Sequence, residues 1–488
     1  MQTRDTLRRQ IAATLKGRLF VVASNREPYL HEHSGNGVVC LRPASGVALA
    51  LDPVAQASGG LWVAHGAGTA DREMADEAGR VRVPPEDPTY TLKRVWLTKQ
   101  QEEDYYYGFA NSALWPLCHL AYRRPVFRDE HWNAYREVNT QFADAIAEEI
   151  GSRKAFVFVQ DYHFALLPRL LKERVPQAVV AQFWHIPWPN AEVFRICPWT
   201  AELLEGMLGN DMLGFHIRQH SLNFIHTVEN ELEARSDPET NSIVFQGHTT
   251  RLRTFPISVD FAGIEKLAGS KDTEARVEEL RRKYRLPREN LGLGVDRLDY
   301  TKGIPERLVA LDRFLEHNPD YRGRFTFLQV APPSRVHVEE YRRLVDEVDR
   351  LVEQVNWKYR DGSWQPIVYL KEHIQQPVLY ALYRMARFCL VSPLHDGMNL
   401  VAKEFVAANV DESGVLLLSR FTGASRQLSE ALIINPYAAD EVAEQIRVAL
   451  EMDVNEVRWR MRRLRERVRE DNIYHWATEV IKRLGRLG

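Results

Sequence analysis

Short apolar runs alternate with stretches of helical periodicity along most of the chain, and each run is closed by a polar or glycine-containing turn. Leu19 to Ala23, Ala155 to Val159, Val179 to Trp184, Asp211 to Phe215 and Leu252 to Phe255 read as strands with helix-like segments between them, which predicts a doubly wound α/β unit. From Leu291 the alternation is cleaner. Strands are predicted at Leu291 to Val295, Phe325 to Val330, Ile367 to Leu370, Phe388 to Val391, Val415 to Leu418 and Ala431 to Ile434, separated by helical patterns such as Ile304, Leu308, Leu311 and Leu315. That is a second doubly wound unit. The charged segment Gly269 to Asn290 is expected to form a helix and linker between the two, and the Gly-, His- and Ser-rich stretch from Ser24-Asn25-Arg26 to Arg42 a loop. The expected division is 1–265 and 266–470, with 471–488 apart.

Two Rossmann-like units facing each other place the carboxyl ends of both sheets on an interdomain cleft, where open α/β sheets take ligands. In the second unit the Phe388 run breaks into Asp396-Gly397-Met398-Asn399 and restarts as a helix through Leu400, Val401 and Glu404. Free N–H groups at such a turn suit sugar hydroxyls or phosphate oxygens, and the two carboxylates can accept from hydroxyls, so the stretch fits a sugar nucleotide. Asp296-Arg297-Leu298-Asp299-Tyr300-Thr301-Lys302-Gly303 follows the Leu291 strand directly and precedes a helix with Pro305 near its start. Arg297 and Lys302 can neutralise a diphosphate there; the plainer alternative is a local Arg297–Asp299 ion pair and a solvated Lys302.

In the first unit, Gln160-Asp161-Tyr162-His163 and Trp184-His185-Ile186-Pro187-Trp188-Pro189 both sit at strand carboxyl ends. Asp161 either caps a helix from Tyr162 to Leu171 or is aimed at acceptor hydroxyls. His185 is either a satisfied structural histidine or lies where Pro187 and Pro189 fix the backbone beside a carbohydrate. Tyr106 in Tyr105-Tyr106-Tyr107, Trp115 and Trp62 are core rings or, in a cleft, an apolar face with a polar tip for a sugar; Arg26 and Arg335 offer forks for a phosphate.

Composition narrows the classes. The 488 residues are 45% apolar, enough for two or three domains, and 64 Lys and Arg against 66 Asp and Glu argue against a polyanion-binding surface. The basic run Arg458 to Arg469 is interleaved with Met461, Leu464 and Val468, which fits an amphipathic helix with solvated arginines better than a nucleic-acid site. Cys40, Cys118, Cys197 and Cys389 lack CxxC spacing and are read as core packing in a reducing compartment. With no apolar run of membrane length and no signal-like N-terminus, a cytoplasmic protein with no membrane association is expected. His31-Glu32-His33 has no matched third ligand, so no metal site is expected.

Ser24-Asn25-Arg26, Gly59-Gly60-Leu61-Trp62, Leu114-Trp115-Pro116, Asp161-Tyr162-His163, His185-Ile186-Pro187, Arg297 to Gly303 and Asp396 to Glu404 together resemble the trehalose-6-phosphate synthases, in order from about Leu19 to Trp476. The resemblance implies a retaining glycosyltransferase of the GT-B fold that moves glucose from UDP- or GDP-glucose to glucose 6-phosphate, with no metal or other cofactor. It implies that Arg297, Lys302 and the turn Asp396, Gly397, Met398, Asn399, Leu400 and Val401 bind the donor diphosphate and glucose, with Glu404 on the ribose and Gly46 in the first phosphate loop. By the same matching His185 contacts the transferred glucose, Asp161 the acceptor or reacting region, and Arg26, Trp62, Tyr106, Trp115 and Arg335 the acceptor sugar and its phosphate. The last helix, 471–488, would cross back to the first domain; a homo-oligomer is left open. Ser45-Gly46 replaces the family's paired glycines, His395 its usual Arg and Gln160 a frequent His, while Glu27-Pro28-Tyr29 looks more like the glucosylglycerol-phosphate synthases, whose acceptor is glycerol 3-phosphate.

Other classes fit less well. A glycoside hydrolase needs two carboxyls flanking a glycosidic bond, and Asp161 with Asp396 or Glu404 can be cast so, but paired cations at a helix start suit a diphosphate better. A dinucleotide oxidoreductase is disfavoured by Arg297 standing where GxGxxG needs its third glycine. A non-catalytic regulatory relative is disfavoured by the intact Arg297, Lys302, Asp396 and Glu404.

Overall fold

A computed structural model describes residues 2–35, 37–42, 46–335 and 337–487, without the side chains of residues 46, 47, 49 and 50. The chain forms two compact units, Met1–Ile257 with Ile473–Gly488, and Ser258–Asn472.

The first unit is built on a ten-stranded sheet. Its parallel centre runs His248–Thr254, Met212–Phe215, Val179–Phe183, Ala155–Gln160, Leu19–Arg26, Leu61–His65 and Tyr90–Val95 in spatial order. Antiparallel strands close both edges, Arg80–Val83 on one side and the ribbon Arg235–Asp237 and Ser242–Phe245 on the other. Central strands such as Ala155–Gln160 are buried at every residue, which is why they read as unbroken apolar runs rather than alternating ones. The order reverses between Leu19–Arg26 and Ala155–Gln160, so Arg26 and Asp161 flank the switch point. The final helix Ile473–Gly485 belongs to this unit: Trp476 packs against Phe158 and Phe183 and donates its Nε1–H to Phe255 O at 3.2 Å.

The second unit has a six-stranded, all-parallel sheet in the order Ile367–Leu370, Thr326–Val330, Leu291–Val295, Phe388–Val391, Val415–Ser419, Leu432–Ile434. Its switch point falls between Leu291–Val295 and Phe388–Val391. Two doubly wound units of this kind are the make-up of a GT-B α/β protein.

Some expectations change. The stretch after Arg26 is a hairpin, Leu30–Ser34 paired antiparallel with Gly37–Leu41, with His33 opposite Val38 and Glu32 opposite Val39. Cys40 lies exposed on it, so only the other three cysteines are core residues. The helix Lys271–Tyr284, capped by Ser270, lies inside the second unit rather than linking the two. In the helix Val454–Glu470, Met461, Leu464 and Val468 are buried as the pattern demands, but Arg465 is buried with them: its Nη1 donates to Val406 O and Ala407 O, and its Nη2 pairs with Glu265 at 2.5 Å. Among the described residues no helix is long and apolar enough to cross a membrane.

Candidate active site

The loops leaving both switch-point strands of the second unit touch. Leu394 N donates to Thr301 O at 2.8 Å, and Gly303, at φ +62°, lies so close to Ser392 that a Cβ would stand 2.3 Å from its carbonyl oxygen. Only glycine allows both the backbone angle and the approach. Beneath them Arg307, from the helix Ile304–His317, is fully buried: Nη2 pairs with Asp296 at 2.7 Å, Nη1 donates to Gln329 Oε1 at 2.9 Å and Nε to Ser392 Oγ at 3.0 Å. One guanidinium therefore pins both loops. Burial pushes the Asp296 carboxyl above its ordinary range against the pull of Arg307.

Above this floor, buried Asp299 collects Arg297 and Arg335 at 3.3 Å each, the Tyr341 hydroxyl at 3.2 Å and the Thr301 backbone N–H at 3.0 Å. Burial would raise this carboxyl, but Arg297, Arg335 and Lys302 outweigh it and hold it well below the usual carboxylate range. The Arg297–Asp299 pair thus exists, while Lys302 is not merely solvated: its Nζ sits 2.6 Å from Asp396 Oδ2. Arg335, expected among the acceptor residues, stands in this unit beside Arg297.

The turn Asp396 to Asn399 is held by a segment that sequence reasoning missed. Gly423 N donates to Asp396 O at 3.2 Å and Ala424 N to Met398 O at 2.9 Å; a Cβ on Gly423 would lie 2.1 Å from Gly397 O. Asn399, at φ +89°, caps the helix Leu400–Ala408 by accepting from Ala402 N, and donates to Asp396 Oδ2. Leu400 and Val401 form the first turn. Glu404, one turn on, accepts from Tyr383 Oη at 3.2 Å, and burial pushes its carboxyl up to about 7 against that hydrogen bond.

In the first unit, Arg26 is the one exposed residue in the otherwise buried stretch from Phe20 to Tyr29. The strand shifts register between Ala23 and Arg26, and Arg26 Nη2 donates to Tyr106 Oη at 2.9 Å. Tyr106 lies on a π-helix, Glu102–Leu114, a rare winding that often marks functional sites, and its ring stacks on His163 at 5.7 Å. Trp115 is buried against His119 and Tyr162. Trp62 is a core residue whose Nε1–H donates to Ser24 Oγ at 2.7 Å, steadying the strand end beneath Arg26. Gly46 opens the helix Gly46–Ser58; Ser45 lies outside the described residues.

Asp161 does not cap a helix through its side chain. It adopts φ +70° and ψ −179°, costly for a residue with a Cβ, and its Oδ1 accepts from His185 N at 3.1 Å. His185 is buried, and its Nε2 lies 3.0 Å from Gln160 Oε1, whose amide is oriented by its own bond to Phe158 O. An amide oxygen can only accept, so the proton sits on Nε2. Burial pushes the His185 imidazole down to about 3 and that of His65, despite Asp71 nearby, to about 4.

Each of these two histidines should withdraw stability as the pH falls. The unfolded chain binds their protons below its ordinary histidine value of 6.5, the folded chain does not, so stability is whole above that pH and falls as pH drops toward 4. At pH 5 each should cost about 2 kcal/mol relative to pH 7. The raised Glu404 and Glu27 carboxyls act in the opposite sense, so the test is differential: the change in Tm between pH 7 and pH 5 should be less unfavourable in His65→Asn than in the parent, and an equal change in both proteins would refute the assignment.

Comparison with known proteins agrees with this geometry. The sequence pattern of glycosyltransferase family 20 matches residues 18–486. A bifunctional trehalose-6-phosphate synthase/phosphatase of Thermoproteus tenax is 37% identical over 473 residues, covering 94% of this chain; the chain spans 62% of that relative's length. A structure from E. coli bound with UDP-2-fluoro glucose matches with a TM-score of 0.85 and 31% identity over 96% of this chain and 99% of its own. An α,α-trehalose-phosphate synthase (UDP-forming) from Burkholderia xenovorans in complex with glucose-6-phosphate matches with a TM-score of 0.86 and 31% identity, over 96% and 100%. Doubly wound units with cations at their switch points, matched at such identity over nearly the whole length, place the chain in a family: it belongs to glycosyltransferase family 20, with the trehalose-6-phosphate synthases.

Proposed function

We propose that the chain transfers glucose, with retention, from a nucleoside-diphosphate glucose, UDP-glucose first among the candidates, to glucose 6-phosphate, giving trehalose 6-phosphate. The observation that carries the reading is the pair of cations, Arg297 and Lys302, held by Asp299 and Asp396 at the switch point of one sheet. Breaking the bond from the anomeric carbon to the diphosphate leaves negative charge on the departing phosphate, and fixed cations there stabilise the transition state more than the ground state. Side chains supply the neutralising charge, so the reading asks for no metal; the nucleotide sugar is a substrate.

In this reading Lys302 exchanges Asp396 for the diphosphate, which frees the Asp396 carboxylate and the 396–401 backbone for glucose hydroxyls, and Glu404 takes the ribose. Gly46 approaches the donor. Neutral His185, its Nε2 proton held by Gln160, contacts the transferred glucose, and Asp161 the reacting region. Arg26, Tyr106 and Arg335 hold the acceptor phosphate and sugar, with Trp115 and Trp62 behind them. The acceptor hydroxyl attacks the face that the diphosphate leaves, and the leaving phosphate takes its proton, so no side-chain nucleophile is needed. The first unit then supplies most of the acceptor residues and the second the nucleotide-sugar residues together with Arg335, and the unpaired thiols fit a cytoplasmic setting.

Glu27, Pro28 and Tyr29, which look like the glucosylglycerol-phosphate synthases, are all buried. UDP-, GDP- and ADP-glucose are to be incubated with glucose 6-phosphate and with glycerol 3-phosphate, and the products identified. Trehalose 6-phosphate with release of the nucleoside diphosphate is expected. A phosphorylated glucosylglycerol alone, or glucose released without an acceptor, would overturn the reading.

A further inference from the structure

Arg26 is followed at once by a buried charge network that the reaction does not use. Glu27 Oε2 accepts from Arg94 Nε at 2.8 Å, and its Oε1 from Ala67 N at 3.1 Å. Arg94 Nη2 pairs with Asp71 Oδ1 at 2.7 Å and donates to Tyr29 O at 3.1 Å; it also lies 2.7 Å from His31 Nδ1. Asp71 accepts in turn from His31 N at 2.8 Å and Gly68 N at 2.6 Å. Glu27, His31, Asp71 and Arg94 are none of them more than 3% exposed. The network joins three neighbouring segments: the continuation of Leu19–Arg26, the loop after Leu61–His65, and the strand Tyr90–Val95. Beyond the hairpin a second set ties the chain down again, Arg42 donating to Tyr29 Oη at 2.6 Å and both Tyr29 and Tyr90 donating to Asp52.

Buried ion networks of this sort add little net stability over a well-packed apolar core. What this one does is remove freedom from the backbone on one side of Arg26, while Ser24, through its bonds to Trp62 and to Arg26 O, removes it on the other. We propose that Glu27, Asp71 and Arg94 are positioning residues for the acceptor: they hold the main chain at Arg26 so that its guanidinium meets the acceptor phosphate already in place. The inference rests on the reading of Arg26 given under the proposed function. Two carboxyls share one guanidinium here, and burial together with the contact to Asp71 pushes Glu27 up to about 9, so Glu27 is the protonated partner. Both Glu27 oxygens accept N–H donors and an amide nitrogen cannot, so glutamine should not replace it without loss, nor should shortening it or changing the fork at Arg94 be tolerated.

The test compares Glu27→Gln, Glu27→Asp and Arg94→Lys with the parent by KM for glucose 6-phosphate, Kd for UDP by calorimetry, and Tm. Small misplacements of a binding group cost of order tenfold or more, so Glu27→Asp and Arg94→Lys should raise the acceptor KM about tenfold or more with the UDP Kd unchanged within about twofold. Glu27→Gln, which sets an amide nitrogen against one of the N–H donors that meet Glu27, should raise the acceptor KM in the same way. Glu27→Asp is the mildest change and decides alone if Arg94→Lys does not fold. An unchanged acceptor KM in folded Glu27→Asp, or a rise in KM matched by an equal weakening of UDP, would overturn the inference. Arg26→Ala serves as the control: if it leaves the acceptor KM unaltered, the reading of Arg26 itself fails, whereas a raised KM there with none in Glu27→Asp defeats only the positioning cluster.

Discussion

Lys302→Ala and Arg297→Ala are each expected to lower kcat on the order of a hundredfold to a thousandfold, as removal of a single group that stabilises developing charge does elsewhere. Arg297 sits on Asp299 with its side chain 40% exposed, and Asp396 keeps a hydrogen bond from Asn399 when Lys302 is removed, so folding should survive. The two losses should differ in kind. On the proposed reading Lys302 gives up Asp396 on donor binding, which offsets its ground-state gain, and meets growing negative charge as the bond breaks, so its loss should fall mainly on kcat. Arg297 is held on Asp299 before any donor binds, so on the proposed reading part of its contribution is uniform binding and its loss should also raise the donor KM. Steady-state kinetics with UDP-glucose and glucose 6-phosphate, with Tm as the control, decide the matter. Near-normal turnover in both variants would end the assignment of the donor site.

Arg307→Met should have the largest effect on the fold itself. It strands the Asp296 carboxyl in the interior and takes a donor from Gln329 and from Ser392, and breaking a buried pair in this way costs roughly 3–5 kcal/mol. The sign of its pH dependence is fixed. Asp296 is already held above its ordinary value, and without Arg307 it rises further, so the folded state binds a proton that the unfolded state releases. Stability is then lost as pH climbs through that raised value, and the deficit should be greater at pH 8 than at pH 5. Urea unfolding at both pH values measures it, with Arg307→Met plus Asp296→Leu expected to recover much of the loss. A single variant as stable as the parent at pH 8 would remove Arg307 from its assigned place.

Much of this was readable from the residues because parallel sheets bury both faces of their strands. Leu291 to Val295 and Phe388 to Val391 appear as apolar blocks, and the residues just beyond them, Arg297, Lys302 and Asp396, are brought together by the reversal of strand order. What stayed hidden depends on contacts distant in sequence or on backbone angles. The brace from Gly423 to Gly397 and the strain at Asp161 leave no local trace. Arg307 did leave one, a charge within the apolar stripe of Ile304, Leu308 and Leu311, which is how a buried ion pair shows itself in a helix. The pull of Arg335 toward Asp299 could not be read, since the residues lie 36 positions apart.

Trp476 fills its seat between Phe158 and Phe183 only once the last helix has been made, while the whole of Ser258–Asn472 is one uninterrupted stretch. On the ribosome the second unit is thus a guest that can finish folding inside a host still waiting for its own closing piece. Truncation just before Ile473 should therefore leave the guest native and the host open to protease.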